Sequence, residues 1–427
     1  MRKRHLVRPA SAAVLPLTCV LALTTPAQAA HGAPAGAPRQ VAADADQPAG
    51  IPATDPHLAF DGHWGRLGNA MITPNSGSQL RFRFTGRTLA GRFDTSSVTL
   101  PAQIYVSIDG AVPARYTVDR DLIDFTPTPL TGRKHTAEIS VKDVNEHANR
   151  WVLPLQSGLS FTGLELDPGA HVQTPAPLGP LRMEFLGDSI TQGVKSLCGL
   201  IGTDCDDGTK DFAHLTGKAF HAHTNQVGFG RQGILVNGNG GVPTASGSFG
   251  WNFQDSPADP LFRPDAVVVN QGTNDYFLGA EPFRPAYLSY LKQIRAAYPH
   301  AWIFAMRPFG GYNAENVASA VTEANDPRTV YVDTTGWMSA DAGDYTDGVH
   351  PGVEAHARAA ALLTDFIAHT TGWAADPVSE RRHLAARRGG RPPESGRPFA
   401  VGTQGGAPAS GVPWGRPPGK AQSPRRS

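Results

Sequence analysis

Cysteine is nearly absent from this 427-residue chain: only Cys19, Cys198 and Cys205 occur. No cysteine-built metal site can be assembled from so few. Long apolar runs are also missing. The longest, residues 10–23, is too short to span a bilayer and contains Pro16. Charge is sparse at 18% of residues, and the formal net charge is only +1. That near-neutrality hides an asymmetry. Residues 1–29 hold four basic and no acidic side chains, and residues 380–427 hold ten basic and two acidic. The body between them is acidic by 11 charges, which argues against a polyanionic partner such as nucleic acid. There is no internal repeat.

Two further absences narrow the chemistry. His214, His221 and His223 have no cysteine or carboxylate at a recognised ligand spacing, so no metal is expected. Gly238-Asn239-Gly240-Gly241 lacks the Lys-Ser/Thr ending of a phosphate loop and reads as a flexible loop. Asp204, Asp206 and Asp207 could suggest calcium, but three acids in a polar loop are more often only solvated.

What is present begins with a secretion signal. Arg2, Lys3, Arg4 and Arg8 precede the apolar stretch, and Ala27-Gln28-Ala29 is a small-x-small cleavage site. Thr18 before Cys19 fits a lipoprotein site poorly, so no lipid anchor or membrane partner is expected. In a secreted chain Cys198 and Cys205, seven apart, are expected to close a small disulfide loop; the alternative is two free thiols. Residues 30–50, rich in Ala, Gly and Pro, read as a flexible linker. Residues 51–170 carry short alternating stretches such as Leu80-Arg81-Phe82-Arg83-Phe84 and Ile104-Tyr105-Val106-Ser107-Ile108. Asp109-Gly110 supplies a hairpin turn. That pattern predicts a β-sandwich domain. A Pro/Gly-rich linker is expected at 171–180. Strands and helices then alternate over 181–370, which predicts an α/β domain with a parallel sheet. One helix over 284–298 would bury Tyr287, Leu288, Leu291 and Ile294. A last helix over 353–369 would bury Leu362, Leu363, Phe366 and Ile367. Residues 371–427 read as a disordered basic tail.

Four elements in the α/β half carry chemistry. Gly187-Asp188-Ser189 follows the apolar run Met183-Glu184-Phe185-Leu186, which places an exposed serine at a strand-to-helix turn. Gly230-Arg231-Gln232-Gly233 lies some forty residues on. Asn274 follows the strand-like run 266–270, at the end where open α/β sheets bind ligands. Asp347-Gly348-Val349-His350 can fold back in one turn, so that the carboxylate fixes the imidazole tautomer. Each element alone is also ordinary turn or cap chemistry. Together they supply a nucleophile (Ser189), a general base and acid (His350), an orienting carboxylate (Asp347), and oxyanion donors from the Ser189 and Gly230 N–H groups and the Asn274 amide. Trp251 is a candidate platform for stacking a sugar ring. No cofactor is required.

This ordered set resembles the SGNH (GDSL-type) hydrolase superfamily over about residues 181–370. Ser189, Gly230, Asn274 and His350 match its four name-giving residues, with Gly233 an alternative for the glycine. The resemblance implies a three-layer α/β/α domain. The preceding sandwich makes the layout similar to carbohydrate esterase family 2. His63-Trp64-Gly65-Arg66, Phe82-Arg83-Phe84-Thr85-Gly86-Arg87, Ile108-Asp109-Gly110, Gly132-Arg133-Lys134-His135, Trp251-Asn252-Phe253 and residues 264–270 carry that likeness. A departure is Lys142-Asp143-Val144-Asn145-Glu146, where that family has a Lys-Arg-x-Glu-like step. The likeness implies an N-terminal jelly-roll and a secreted enzyme that removes O-acetyl groups from plant polysaccharides such as acetylated xylan or glucomannan. A monomer is expected. A lipase or broad carboxylesterase of the same fold remains open. So does a carbohydrate-binding protein whose hydrolase half is inactive, although the intact Ser189, Asn274, Asp347 and His350 argue against it.

Overall fold

Alternation of apolar and polar side chains decides the first half of the molecule. In the computed structural model, which describes residues 48–378, strand Gln79–Thr85 buries Leu80, Phe82 and Phe84 on one face. Arg81 and Arg83 point the other way. A period of two leaves one face of each strand to be covered, and a second sheet covers it. One antiparallel sheet runs Gly65–Leu67, Ala70–Thr73, Leu159–Leu166, Leu89–Phe93 and Leu122–Asp124, with Ala49–Pro52 also paired to Leu159–Leu166. The other runs Val172–Gln173, Gln79–Thr85, Lys134–Asp143, Gln103–Ile108 and Ala114–Thr117, with Ala59–Asp61 paired to Gln79–Thr85. Phe93, Phe161 and Leu164 of one sheet meet Phe82, Ile104 and Ile139 of the other in a single core. The Asp109-Gly110 turn has both residues at positive φ, 53° and 72°, with the Ala111 N–H on the Ile108 carbonyl at 3.0 Å, and the chain returns to pair as strand Ala114–Thr117.

The second half is a five-stranded parallel sheet in the order His223–Gly228, Arg182–Gly187, Ala266–Asn270, Trp302–Met306 and Thr329–Val332. Its central strand is buried on both faces. Val267 and Val269 pack toward helices Ala280–Ala297 and Ala314–Ala324. Ala266 and Val268 pack toward helices Phe212–Ala219 and Val353–Thr371. The result is three layers, helix on sheet on helix. In helix Ala280–Ala297 the expected face is buried, with Leu288 at its margin. In helix Val353–Thr371, Leu363 and Ile367 are fully buried but Leu362 is 38% exposed. A step of about 100° per residue rotates Leu362 off the stripe that Leu363 occupies.

The two halves are not hung on a free linker. The described residues from Pro48 onward form one compact unit. Ala49 and Gly50, expected in a linker, lie in strand Ala49–Pro52. Of the expected linker 171–180, Val172–Gln173 joins the sandwich. The carbonyls of Thr174 and Ala176 then accept from Arg83 and Arg81 at 2.9 and 3.2 Å. These are the outward arginines of the alternating strand, which tie down backbone that the sequence presents only as Pro and Gly. Across the junction His63 reaches Glu184 at 3.3 Å and Asp61 reaches His223 at 2.6 Å. Ile72, Trp151 and Leu155 join the core of the α/β half. Gly65 faces Phe253 so closely that a Cβ there would collide with the ring. After Thr371, Trp373, Ala375 and Val378 still pack on the core, and Asp376 pairs with His221 at 3.0 Å, so order continues past the expected start of the tail. The expected signal segment with Cys19, most of the first linker, and residues 379–427 lie outside the described residues.

Candidate active site

The strand Arg182–Gly187 ends in a tight turn into the one-turn helix Ser189–Gln192. Asp188 caps that turn, its Oδ1 accepting the Ile190 N–H at 2.9 Å. Gly187 and Gly228 are glycines because Thr191 and the backbone of Gln192 press against them. The turn holds Ser189 beyond the C-terminal ends of the strands. The residue is only 7% exposed, less open than a serine at a free turn would be.

Asp347 and His350 come from the loop before helix Val353–Thr371. Asp347 Oδ1 accepts the N–H groups of Val349 and His350 at 3.0 and 2.9 Å, closing the expected one-turn fold-back. Gly348, at φ 88°, permits it. His350 Nδ1 lies 2.9 Å from Asp347 Oδ2, and His350 Nε2 lies 2.9 Å from Ser189 Oγ. Lys195 Nζ donates to the same Asp347 Oδ2 at 2.8 Å. Burial would raise the Asp347 carboxyl. The hydrogen bond and charge of His350, with the Lys195 hydrogen bond, outweigh it and hold the carboxyl far below the ordinary carboxylate range. Asp188 goes the other way: burial pushes it up to about 7 against its hydrogen bond from Ile190.

The expected oxyanion donors are placed less simply. Asn274 sits beside the serine turn, its amide donating to the Gln232 carbonyl at 3.0 Å and to Asp188 Oδ2 at 3.3 Å. Asp275 accepts the N–H groups of Ile234 and Leu235 at 2.9 and 2.8 Å. The pair Asn274-Asp275 therefore pins the loop that carries Gly230 and Gly233. The Gly230 N–H, expected in the oxyanion hole, is donated instead to Gln192 Oε1 at 3.0 Å. Gly230 is a glycine because the Glu146 carboxylate occupies the space a Cβ would take, and Gly233 is one because Asp275 does. Gln192 also accepts from the fully buried Arg150 at 2.8 Å and donates to Asp143 and Val144 at 3.1 and 2.9 Å. The end of sandwich strand Lys134–Asp143 thus lies directly behind the serine turn.

Trp251 is not brought to this group. It stands on the hairpin Trp251–Phe253 with Ser256–Pro257, which packs against strand Gly65–Leu67. Its neighbour Asn252 lines a cavity of about 130 Å³ with Arg182 and His223, which begin two parallel strands. Ser189 and Asn274 follow the opposite ends. Two exposed aromatic side chains follow Asn274-Asp275 directly, Tyr276 and Phe277, with rings 5.4 Å apart and Tyr312 5.5 Å from Tyr276. Their place directly after Asn274-Asp275 was the available signal.

Cys198 and Cys205 form a disulfide. Its loop contributes no cation site. Asp204 pairs with Arg115, Asp206 accepts the Lys195 N–H, and Asp207 accepts from Tyr105 and Thr209. The three weighed histidines do not converge either. His221 and His223 serve separate carboxylates. Burial pushes the imidazole of His214 down to about 3.

The geometry is that of a nucleophile, a base and an orienting carboxylate in series, which suits acyl transfer. The comparisons agree. Residues 185–358 match the GDSL-like Lipase/Acylhydrolase family. A family two carbohydrate esterase from Clostridium thermocellum, solved in complex with cellohexaose, superposes at TM-score 0.62 and 20% identity, covering 74% of this chain and 99% of that one. One from Cellvibrio japonicus gives 0.64 and 18%, covering 77% and 99%. An acetyl xylan esterase from the rumen bacterium Butyrivibrio proteoclasticus gives 0.62 and 20%, covering 77% and 99%. No curated protein matches the chain in sequence. The α/β half thus has the SGNH hydrolase fold, and the two antiparallel sheets before it extend the likeness across nearly the full length of those structures.

Proposed function

We propose that this protein is a secreted serine esterase that removes O-acetyl groups from polysaccharides such as acetylated xylan or glucomannan. The observation that carries the reading is the continuous line Ser189 Oγ, His350, Asp347, with both links at 2.9 Å. Ser189 Oγ attacks the acetyl carbonyl while His350 Nε2 takes its proton. The oxygen of the tetrahedral intermediate is met by the Ser189 N–H and the Asn274 amide, the latter exchanging its present partners for it. His350 returns the proton to the departing sugar hydroxyl. Water, deprotonated by His350, then releases acetate from acetyl-Ser189. The glycan part of the reading is supported by the fold shared with the carbohydrate esterases, one of them solved with cellohexaose. The exposed Tyr276 and Phe277 rings near Asn274 offer flat faces for a pyranose.

One observation favours a second reading, a carboxylesterase for longer acyl chains. Leu200 and Ile201, in the disulfide-closed loop beside Asp347, are 72% and 71% exposed. Acetate release from acetylated xylan, measured against octanoate release from 4-nitrophenyl octanoate, separates the two. Strong preference for acetyl is expected; equal or better octanoate cleavage moves the assignment to the second reading. Ser189→Ala should abolish both activities without unfolding the protein, since among the described residues its Oγ bonds only to His350. Retained turnover in a folded Ser189→Ala protein would overturn the mechanism, and a parent protein inactive on both esters would leave a glycan-binding role.

A further inference from the structure

We propose that Lys195 is a positioning residue for the Ser189–His350–Asp347 triad, mounted on a disulfide-closed loop that the β-sandwich holds in place. The proposal rests on the reading of Ser189 and His350 as nucleophile and base. Asp347 has four acceptor positions, and the structure fills each of them. Two backbone N–H groups take Oδ1. His350 Nδ1 and Lys195 Nζ share Oδ2 at 2.9 and 2.8 Å. A lysine is not needed to hydrogen-bond His350, so its presence on the same oxygen calls for a role of its own.

Lys195 is held at both ends. Its N–H donates to Asp206 Oδ1 at 2.6 Å, and its carbonyl accepts from Thr346 Oγ1 at 2.9 Å. Thr346 Oγ1 also reaches the His350 carbonyl at 3.2 Å. The backbone of Lys195 sits at φ 55°, a conformation that a side chain of this size adopts only where its surroundings impose it. Those surroundings are the loop 195–207, closed by Cys198–Cys205 and by the Leu197 N–H on the Cys205 carbonyl at 2.9 Å. Gly199 of that loop lies so close to the Thr346 carbonyl that a Cβ would stand 2.6 Å away. The sandwich supplies the mount. The Lys142 ammonium, fully buried at the end of strand Lys134–Asp143, donates to the carbonyls of Thr203 and Asp206, and Tyr105 donates to Asp207 at 3.0 Å. A continuous path therefore runs from the sandwich through Lys142, the loop, Asp206, Lys195 and Asp347 to the base.

The ammonium does two things there. It fixes the Asp347 carboxylate in the plane that meets His350. It also offsets part of the carboxylate charge, so that the imidazolium formed during attack is less strongly trapped by its partner. Without Lys195 the full carboxylate charge would favour the protonated base, and activity would fail at a higher pH on the acid side. Other titratable groups whose charge reaches His350 include Asp206 on the loop, Asp188 before the nucleophile and His356 on the last helix. All three are unchanged in the variants below.

The test is the pH profile of kcat and KM for 4-nitrophenyl acetate, using the whole protein. Lys195→Met should move the acid limb of kcat/KM upward by about one pH unit and lower the rate below the limb by roughly tenfold, with KM unchanged. Lys195→Gln, which keeps a hydrogen bond but no charge, should move the limb as far, and it carries the test if the methionine variant does not fold. Lys195→Arg should restore the limb. The double substitution Cys198→Ser with Cys205→Ser should shift it in the same direction, because the mount is loosened while Lys195 remains. A lower plateau with the limb in its original place, in both neutral variants, would overturn the proposal and leave Lys195 a merely structural residue. Ser189→Ala run in parallel separates the two levels: activity there defeats the triad itself, whereas an inactive Ser189→Ala alongside unmoved limbs in Lys195→Met and Lys195→Gln defeats only the role of Lys195.

Discussion

Asp347→Asn is the sharpest probe of the site, because the structure leaves the replacement amide no good orientation. If the Asn nitrogen takes the place of Oδ2, it meets the His350 Nδ1 position at 2.9 Å and the Lys195 ammonium at 2.8 Å, two donors. Imidazole must then present Nδ1 as an acceptor and carry its proton on Nε2, where it can no longer take one from Ser189. If the amide flips, its nitrogen faces the Val349 and His350 N–H groups at 3.0 and 2.9 Å and the one-turn loop opens. In the first orientation the productive tautomer is lost; in the second the tautomer survives but the loop that places His350 does not. In triad hydrolases the wrong tautomer lowers turnover by up to about 10⁴-fold, or about 5.5 kcal/mol of transition-state stabilisation. The assay is kcat on 4-nitrophenyl acetate and acetate release from acetylated xylan, with a thermal melt to show that the variant folds. A rate within tenfold of the parent enzyme would refute the argument and mean that a Ser189–His350 pair works alone, with backbone geometry orienting the ring.

Two other outcomes follow from burial. His356 is fully buried, stacks on Phe212 and accepts the Phe212 N–H at 3.2 Å, so it must stay neutral; burial pushes it down to about 3 from an ordinary 6.5. The unfolded chain takes up a proton below about pH 6.5 that the folded one refuses, so stability should fall with decreasing pH between those values, by roughly 1.4 kcal/mol per pH unit from this group. In urea titrations His356→Leu should be less stable than the parent near neutrality and lose less on acidification; a parallel decline in both proteins would contradict the assignment. The fragment 175–372 should fail to give a cooperative melt and lose activity on acetylated oligosaccharides, because it leaves Glu184 without His63 and strips Ile72, Trp151 and Leu155 from the α/β core. A stable, fully active fragment would show the sandwich to be an independent module.

What could be read from the sequence was whatever local chemistry decides. The Asp347-to-His350 spacing is a turn closed by its own backbone, and the serine turn is specified by Gly187, Asp188 and the strand before it. The apolar runs that become parallel strands need no distant partner to be recognised. Contacts between segments far apart left no such trace. Lys195 meets Asp347 across 152 positions, and Gln192 meets Gly230 across 38. Gly230 resembled an oxyanion glycine, but Glu146 and Gln192 use its bare Cα and its N–H. The loop-like neighbours of Trp251 gave no sign that its hairpin packs on the sandwich strand Gly65–Leu67. The stretch 171–180 looked flexible because Pro and Gly dominate it, while the arginines that pin it are ninety residues earlier.

The nucleophile and its base are separated by 161 residues of chain. A growing polypeptide therefore exposes Ser189 long before it possesses anything able to deprotonate it. A chain cut between residues 332 and 350 would contain the serine turn, the Asn274 segment and every strand of the parallel sheet, yet have no His350 imidazole to complete them. On the proposed reading, hydrolysis therefore waits for the loop that carries His350, which docks on Lys195 through Asp347.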